Sequence, residues 1–298
     1  MPMLSIKSSS ASSATKFSKF KPNRVGAQLL GWWDFSDIQT TFQTVDGDAA
    51  TADPHKVGQV LNKAYDNKWG RAGNSALGAF ATESGNDRPL IATDTTSRLN
   101  YLSFDGIRQE LFVVPGTGGG GVDADQLSHS SSITLNAFSL FIVFNPANAT
   151  VSADQTLFMM ISDNSSEISF RIDNSTQDTI MATVANGVSR VSTNVASGVN
   201  NQTGKQLWTW ESNCDNTGNT SKIYKNNDTA VGATNQAGNA GVISMSVSNG
   251  DDRVGIGSTG SSSAEFEGNI YEVLFYNGLM SARDSRAINR YLLKKHFI

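Results

Sequence analysis

The sequence predicts an all-β protein, a sandwich of two antiparallel sheets with an extended N-terminal arm and a short C-terminal helix. From residue 138 onward, apolar stretches typical of strands recur every 8–15 residues with no long helix between them. Charged residues make up only 17% of the chain, and 27 glycines together with many Ser, Thr and Asn supply turns. Helical spacing of apolar residues occurs only near the C-terminus, so we expect a single short helix there.

Residues 1–27 are predicted to form the arm, because this serine-rich and basic stretch has too few apolar residues for a core. Residues 1–24 carry five cations and no acid, so the total net charge of −4 leaves −9 for the remainder. We expect an assembly arm that lies extended against another chain, where two phenylalanines anchor it between the cations. The residues assigned to this role are Lys7, Lys16, Phe17, Lys19, Phe20, Lys21 and Arg24.

Residues 28–298 are predicted to form one domain, since the sequence shows no internal repeat and no second core. The stretch "LNYLSFDG" (99–106) predicts a strand with Tyr101 and Ser103 on one face, closed by an Asp-Gly turn. We expect its partner strand in "ELFVVP" (110–115).

Two further stretches predict which side chains enter the core. In "EISFRID" the apolar residues at 168, 170 and 172 are expected to face inward and the polar residues outward. Trp32 and Trp33 in "GWWDFSD" are consecutive, so they are expected on opposite faces, one in the core and one under a loop.

The C-terminal segment combines a last strand at 270–276 with a helix that begins at about Ser281. Ser281 and Asp284 form an acidic variant of the capping box. The helix ends in basic residues that suit the negative pole of its dipole. We expect this helix to pack on the edge or rim of a sheet.

Taken in order, these stretches resemble the concanavalin A-like lectin/glucanase superfamily in its laminin-G-like branch, seen in secreted bacterial and phage virion proteins. The resemblance covers residues 28–298. It rests on "GWWDFSD", "NKAYDNKWG", "LNYLSFDG", "FSLFIVFNP", "SKIYKNNDTAVG" and "FEGNIYEVLFYNGLMSARDSRAINRYLLKK". It implies a jelly-roll sandwich whose last strand lies beside the first, with a concave sheet and loops that often bind sugars.

Retaining glucanases of this superfamily carry a Glu-x-Asp-x-Glu strand, which this sequence lacks. In "AEFEG", Glu265 and Glu267 share a face without the central Asp, so no catalytic residue is assigned and the protein is expected not to be an enzyme. Sugar binding instead calls for an aromatic platform beside planar polar groups. The candidates are Arg171, Asp173, Trp208 and Trp210, with the alternative that the paired tryptophans belong to the core.

No metal site or other cofactor is predicted, although calcium remains an alternative at acidic loops. The carboxylates that could bind it are Asp46, Asp48, Asp251 and Asp252. The three histidines lie far apart in sequence without metal-ligand spacing, so His55, His129 and His296 are each expected on the solvated surface.

The net charge, the apolar runs, the N-terminus and the cysteine count argue against several classes of protein. A net charge of −4 argues against a nucleic-acid binder, and the apolar runs are too short for membrane insertion. The N-terminus lacks the apolar region of a signal peptide, and a single cysteine allows no intrachain disulfide.

These features favour a non-enzymatic phage virion protein, a capsid decoration or a tail or fibre appendage, assembled in the host cytoplasm and released by lysis. We expect a homo-oligomer whose arm contacts identical subunits or other virion proteins, with host surface polysaccharide as a further partner. A free bacterial carbohydrate-binding protein is the alternative, followed by a glycoside hydrolase or lyase.

Overall fold

The computed structural model describes residues 20–43, 48–50, 55–64, 80–81, 88–107, 109–113, 133–147, 154–161, 166–173, 179–186, 189–196, 204–214, 222–226, 234–235, 242–245, 253–258, 265–296 and 298. No helix within these residues is long and apolar enough to cross a membrane.

The described residues form nineteen strands, a short 3₁₀ helix and one α-helix. The helices are the 3₁₀ helix Pro22–Arg24 and α1 (Ala282–His296). The strands are β1 (Gln28–Asp34), β2 (Thr41–Phe42), β3 (Gln59–Val60), β4 (Phe80–Ala81), β5 (Leu90–Thr93), β6 (Asn100–Asp105), β7 (Leu111–Val113), β8 (Ile133–Leu135), β9 (Ala137–Pro146), β10 (Gln155–Ile161), β11 (Ser166–Asp173), β12 (Thr179–Asn186), β13 (Ser189–Ala196), β14 (Gln206–Asn213), β15 (Lys222–Lys225), β16 (Thr234–Asn235), β17 (Ile243–Met245), β18 (Arg253–Ile256) and β19 (Glu267–Asn277).

The larger sheets are a seven-stranded sheet A and a ten-stranded sheet B, and all their strand pairs are antiparallel. Sheet A has the order β15-β14-β9-β19-β6-β5, and β1 pairs with the second half of β19. Sheet B has the order β16-β13-β12-β11-β10-β18-β7-β4-β3-β2, and β17 pairs separately with β8. The expected antiparallel sandwich is therefore confirmed, with the last strand beside the first.

The expected pairing of 99–106 with 110–115 is wrong. Strand β6 pairs with β5 and β19 in sheet A, whereas β7 pairs with β18 and β4 in sheet B. The Asp-Gly turn after β6 is present, with Gly106 at φ +71°, but the chain leaves that turn toward the other sheet. An Asp-Gly pair marks a change of direction, and it does not determine which sheet the next strand joins.

The core between the sheets is aromatic. Phe170 of sheet B stacks on Trp210 of sheet A with ring centroids 5.9 Å apart, and Phe158 of sheet B lies 5.2 Å from Phe275 of sheet A. The inward-facing residues expected in β11 are all fully buried in this core, as is Trp33. Large rings from both inner faces therefore interdigitate, as in a packed sandwich.

Sheet A also carries a second apolar layer on its outer face. Strands β9 and β19 are buried on both faces, which explains their nearly continuous apolar sequences. Helix α1 covers part of this layer through Ile288 and Leu292, and Asn289 accepts a 3.0 Å hydrogen bond from the Thr209 hydroxyl of β14. The helix thus lies across the face of sheet A and not on an edge or rim, because apolar side chains on that face need a cover.

The N-terminal cap of α1 forms as expected, since the backbone N–H of Asp284 donates to the Ser281 hydroxyl at 3.1 Å. The described end of the predicted arm, residues 20–27, lies on the same face. Phe20 packs 5.7 Å from Tyr291 of α1, and the Tyr276 hydroxyl donates to the Pro22 carbonyl at 3.1 Å. This part of the arm folds back on its own sandwich, contrary to expectation, whereas residues 1–19 lie outside the described residues.

Candidate functional site

A β-bulge in β19 divides the outer face of sheet A into two parts. The register against β9 shifts between Ile270 and Glu272. Ile270 is buried in the inter-sheet core, while both Tyr271 and Glu272 contact groups on the outer face. A bulge allows this because it places two residues of one strand opposite one residue of its partner. Tyr271 lies in a patch with Asp94, Tyr101, Lys205 and Asn269, named here the tyrosine face. Glu272 lies in an ionic cluster beneath α1.

The ionic cluster is centred on Glu272, whose side chain has no exposed surface. Its Oε1 accepts hydrogen bonds from the Trp32 indole (2.9 Å) and the Tyr291 hydroxyl (3.2 Å). Its Oε2 lies 2.7 Å from the Lys295 ammonium and 2.9 Å from His296 Nε2. Both carboxylate oxygens are therefore fully used by protein groups and cannot serve a substrate.

Asp34 extends the cluster toward the start of the chain. Its two oxygens bind Lys295 (2.7 Å) and Lys63 (2.9 Å), and Lys63 also binds Asp37 at 2.9 Å. The Lys63 ammonium lies 4.5 Å from the centre of the Trp32 ring, so the loop at 61–64 covers this indole. The expectation that one of the two tryptophans is in the core and the other under a loop is confirmed.

The charges of the cluster stabilise one another. Burial alone would raise the pKa of Asp34 and Glu272, but the Lys295 ammonium, assisted at Asp34 by Lys63, holds both pKa values below their usual range. Burial alone would lower the pKa of Lys295, but the two carboxylates raise it instead. All three groups are thus charged at neutral pH, and the cluster acts as a clamp that joins α1 to β1 and β19.

His296 belongs to this clamp, so the expectation of a solvated surface histidine is wrong for it. The residue is fully buried, and its ring packs 5.7 Å from Tyr271. The helix dipole argument placed His296 correctly at the helix end, but the partner of its ring is the carboxylate beneath the helix.

The tyrosine face lies on the neighbouring part of the same sheet. It consists of Asp94, Tyr101, Lys205, Asn269 and Tyr271. The two tyrosine rings are tilted, with centroids 5.0 Å apart, and Tyr101 is half-buried while Tyr271 is buried beneath it. The Lys205 ammonium lies 5.5 Å from the centre of the Tyr271 ring and 3.3 Å from Asp94 Oδ1.

Hydrogen bonding and charge define the polar side of this patch. Burial, with contributions from Asp94 and Tyr101, raises the pKa of Tyr271, so its hydroxyl is a neutral group that hydrogen-bonds to Asn269. Burial would raise the pKa of Asp94 as well, but hydrogen bonds from Ser97 and the charge of Lys205 lower it overall. A partly exposed aromatic ring beside a carboxylate, an ammonium and an amide provides the groups that recognise sugar rings and their hydroxyls.

The carbohydrate-binding residues expected from the sequence are not brought together. Trp208 and Trp210 are 0% and 1% exposed in the inter-sheet core, so neither indole can stack on a sugar, and the alternative core placement is correct. Arg171 projects from the outside of sheet B, where it lies 3.5 Å from Asp154. The side chain of Asp173 lies outside the described residues. Tryptophans two apart on a central strand share a face, and here that face is the inner one.

The expected calcium ligands lie mostly outside the described residues, which include only Asp48, an exposed residue. Within the part of the chain that the structure describes, no three His, Cys, Asp or Glu side chains are placed to hold a metal ion. Glu265 and Glu267 are both half-buried, on either side of the buried Phe266.

No protein-family model matches the sequence, and no curated protein matches it. Among solved structures, the ligand-binding domain of botulinum neurotoxin serotype D in complex with N-acetylneuraminic acid has a TM-score of 0.50 and 10% identity over 90% of this chain. The match covers 52% of that structure, so this chain spans about half its length. At this level of identity the likeness concerns the fold, and it supports the β-sandwich.

Two further structures match with lower scores. Domain 4 of the arabinanase AbnA from Geobacillus stearothermophilus, in complex with arabinotriose, has a TM-score of 0.42 and 12% identity over 91% of this chain and 98% of that one. The sialidase of Trypanosoma rangeli has a TM-score of 0.48 and 11% identity over 90% of this chain and 33% of that one. Neither score is high enough to support an inference.

Proposed function

We propose that this protein binds carbohydrate without catalysis, through the tyrosine face, as a structural component of a phage virion. The observation that carries the binding part is the half-buried Tyr101 beside Asp94, Lys205 and Asn269. The ring offers an apolar surface to the C–H groups of a sugar, and the polar groups offer donors and acceptors to its hydroxyls.

The fold supports this proposal. The neurotoxin domain that shares the sandwich is described in complex with N-acetylneuraminic acid, a sugar. This likeness supports carbohydrate as the class of ligand. It does not identify which sugar is bound, because fold alone does not determine function.

The virion part of the proposal rests on the sequence. The chain resembles laminin-G-like domains of phage virion proteins, and residues 1–24 carry five cations without an acid. A basic segment of this kind suits attachment to acidic surfaces of neighbouring subunits. Such a protein would present its sandwich on the particle, where host polysaccharide is accessible.

Two measurements test the two parts separately. The purified full-length chain is applied to a glycan array, and saturable binding that free sugar competes away is expected. Mass spectrometry of purified phage particles from the same source is expected to detect the chain at a constant ratio to the major capsid protein.

Sugar binding without incorporation would identify a free carbohydrate-binding protein and contradict the virion part. Incorporation without binding to any glycan would contradict the binding part. Turnover of a bound polysaccharide would contradict the absence of catalysis.

A further inference from the structure

The outward face of α1 carries a row of cations. Arg283, Arg286, Arg290 and Lys294 follow one another at intervals of three, four and four residues, and all four are exposed. At a rise of about 1.5 Å per residue the row is about 16 Å long. None of the three arginines forms an ion pair with a carboxylate of the described residues. Their charge therefore faces solvent.

Apolar side chains lie beside the cations of this row. A shallow concavity of about 350 Å³ is lined by Arg286, Arg290, Leu293, Lys294 and Ile298. Leu293 and Ile298 are half-buried and pack against the apolar layer of the outer face. The cations thus surround a small apolar patch, which is the arrangement of a protein contact surface with a polar rim.

The N-terminal segment adds charge beside the same helix. Phe20 packs on Tyr291, and the backbone N–H of Gly26 donates to Asp284 at 3.4 Å. These contacts hold Lys21 and the exposed Arg24 near α1. The structure therefore brings both basic ends of the described chain to one region, named here the basic pole. It comprises Lys21, Arg24, Arg283, Arg286, Arg290 and Lys294.

The remainder of the molecule carries the opposite charge. Residues 1–24 contribute +5, and residues 282–298 contribute +4 from five cations and one acid. The total of −4 leaves −13 for residues 25–281. The net charge is thus unevenly distributed along the chain, basic at both ends and acidic between them.

We propose that the basic pole docks onto an acidic surface of a second copy of this chain. Charge complementarity favours this occupant, because residues 25–281 of every copy have a net charge of −13 and so offer acidic groups to the basic pole of another copy. The contact joins two different surfaces, so it is heterologous and repeats from copy to copy as a ring or an open array. Glycan binding by the tyrosine face is not required for it.

The test is sedimentation velocity of the full-length protein over a range of protein and salt concentrations. We expect concentration-dependent oligomers at low salt that dissociate as the salt is raised, because exposed charges are screened over about 8 Å at 0.15 M salt. The double variant Arg286→Gln/Arg290→Gln should raise the dissociation constant at least tenfold. Gln is a good helix former, so the helix should be retained, which circular dichroism and a melting curve would check.

The matched control is Lys56→Gln/Lys222→Gln, which removes the same charge from exposed lysines outside the pole. It should associate like the wild type. A wild type that stays monomeric at low salt, or a helix variant that associates as well as the control, would overturn the proposal. So would co-sedimentation of the monomer with an acidic polysaccharide or single-stranded DNA in place of self-association.

Discussion

The outer face of sheet A has two parts, the ionic cluster beneath α1 and the tyrosine face. Both contain acidic residues paired with a lysine, but the roles of these residues differ. Beneath α1, the carboxylates of Asp34 and Glu272 are buried, with side chains 6% and 0% exposed, in a cluster whose hydrogen-bonding groups are largely paired within the protein. On the tyrosine face, Asp94 and Lys205 form a longer ion pair of 3.3 Å, with side chains 15% and 11% exposed. The cover supplied by the helix is the main difference between them.

One face of a sheet can therefore serve both stability and binding. A buried charge must find partners within the protein, which leaves it no capacity for a ligand. A charge at a partly exposed site retains capacity for hydrogen bonds with a ligand. The bulge between Ile270 and Glu272 lies at the boundary between the two parts of the face. Tyr271 belongs to the tyrosine face, and Glu272 belongs to the ionic cluster.

The largest loss in the free energy of unfolding is expected from a substitution at the centre of the ionic cluster. Glu272→Gln removes one of the two carboxylate charges that offset Lys295 and weakens the bonds from Trp32, Tyr291 and His296. Loss of one partner from a buried ion pair costs about 3–5 kcal/mol, so urea unfolding should show a loss of that size. The control Glu167→Gln, at a half-buried site of β11, should change the free energy of unfolding by less than about 0.5 kcal/mol. Equal small losses in both variants would show that the cluster is not a clamp.

The second effect is a loss of stability at acid and alkaline pH. Asp34 and Glu272 have pKa values below their ordinary 3.8 and 4.5, so their contribution is complete above about pH 5 and disappears as the pH falls through the folded values. Lys295 has a pKa above its ordinary 10.5, so its contribution is complete below that pH and disappears as the pH rises through its folded value. Urea unfolding from pH 2 to 11 should therefore give a plateau between two falling limbs.

Glu272→Gln sharpens this measurement, because it should make the acid limb shallower. An acid limb of unchanged slope in the variant would contradict the role of Glu272 in the clamp.

The sequence allowed the sandwich, the helix cap and the placement of Trp32 and Trp33 to be predicted, because each depends on local spacing. It did not allow the tyrosine face to be found. Simple alternation puts Tyr101 on the same face as Ser103, as the structure does. The same rule puts Tyr271 on the face of Val273 and Phe275, because alternation cannot reveal a bulge. The pairing of β6 with β19 joins residues that are 162 to 168 positions apart in the sequence, and short-range patterns carry no signal for such contacts.

Lys205→Gln on the tyrosine face is expected to lower the free energy of unfolding less than Glu272→Gln does. The ion pair with Asp94 is partly exposed, and such pairs contribute about 1 kcal/mol or less. The melting temperature should change little, in contrast to Glu272→Gln. A loss of stability as large as that of Glu272→Gln would show that the tyrosine face is a second structural clamp.

The most direct test of carbohydrate binding at the tyrosine face is glycan affinity in two matched tyrosine variants. Tyr101 and Tyr224 are both half-buried on sheet A, but they lie on β6 and β15, separated by β19, β9 and β14. Isothermal titration with a glycan selected on the array should show that Tyr101→Ala weakens binding at least tenfold, about 1.4 kcal/mol, while Tyr224→Ala binds like the wild type. Full affinity in folded Tyr101→Ala protein would contradict the assignment of the tyrosine face as the carbohydrate-binding surface.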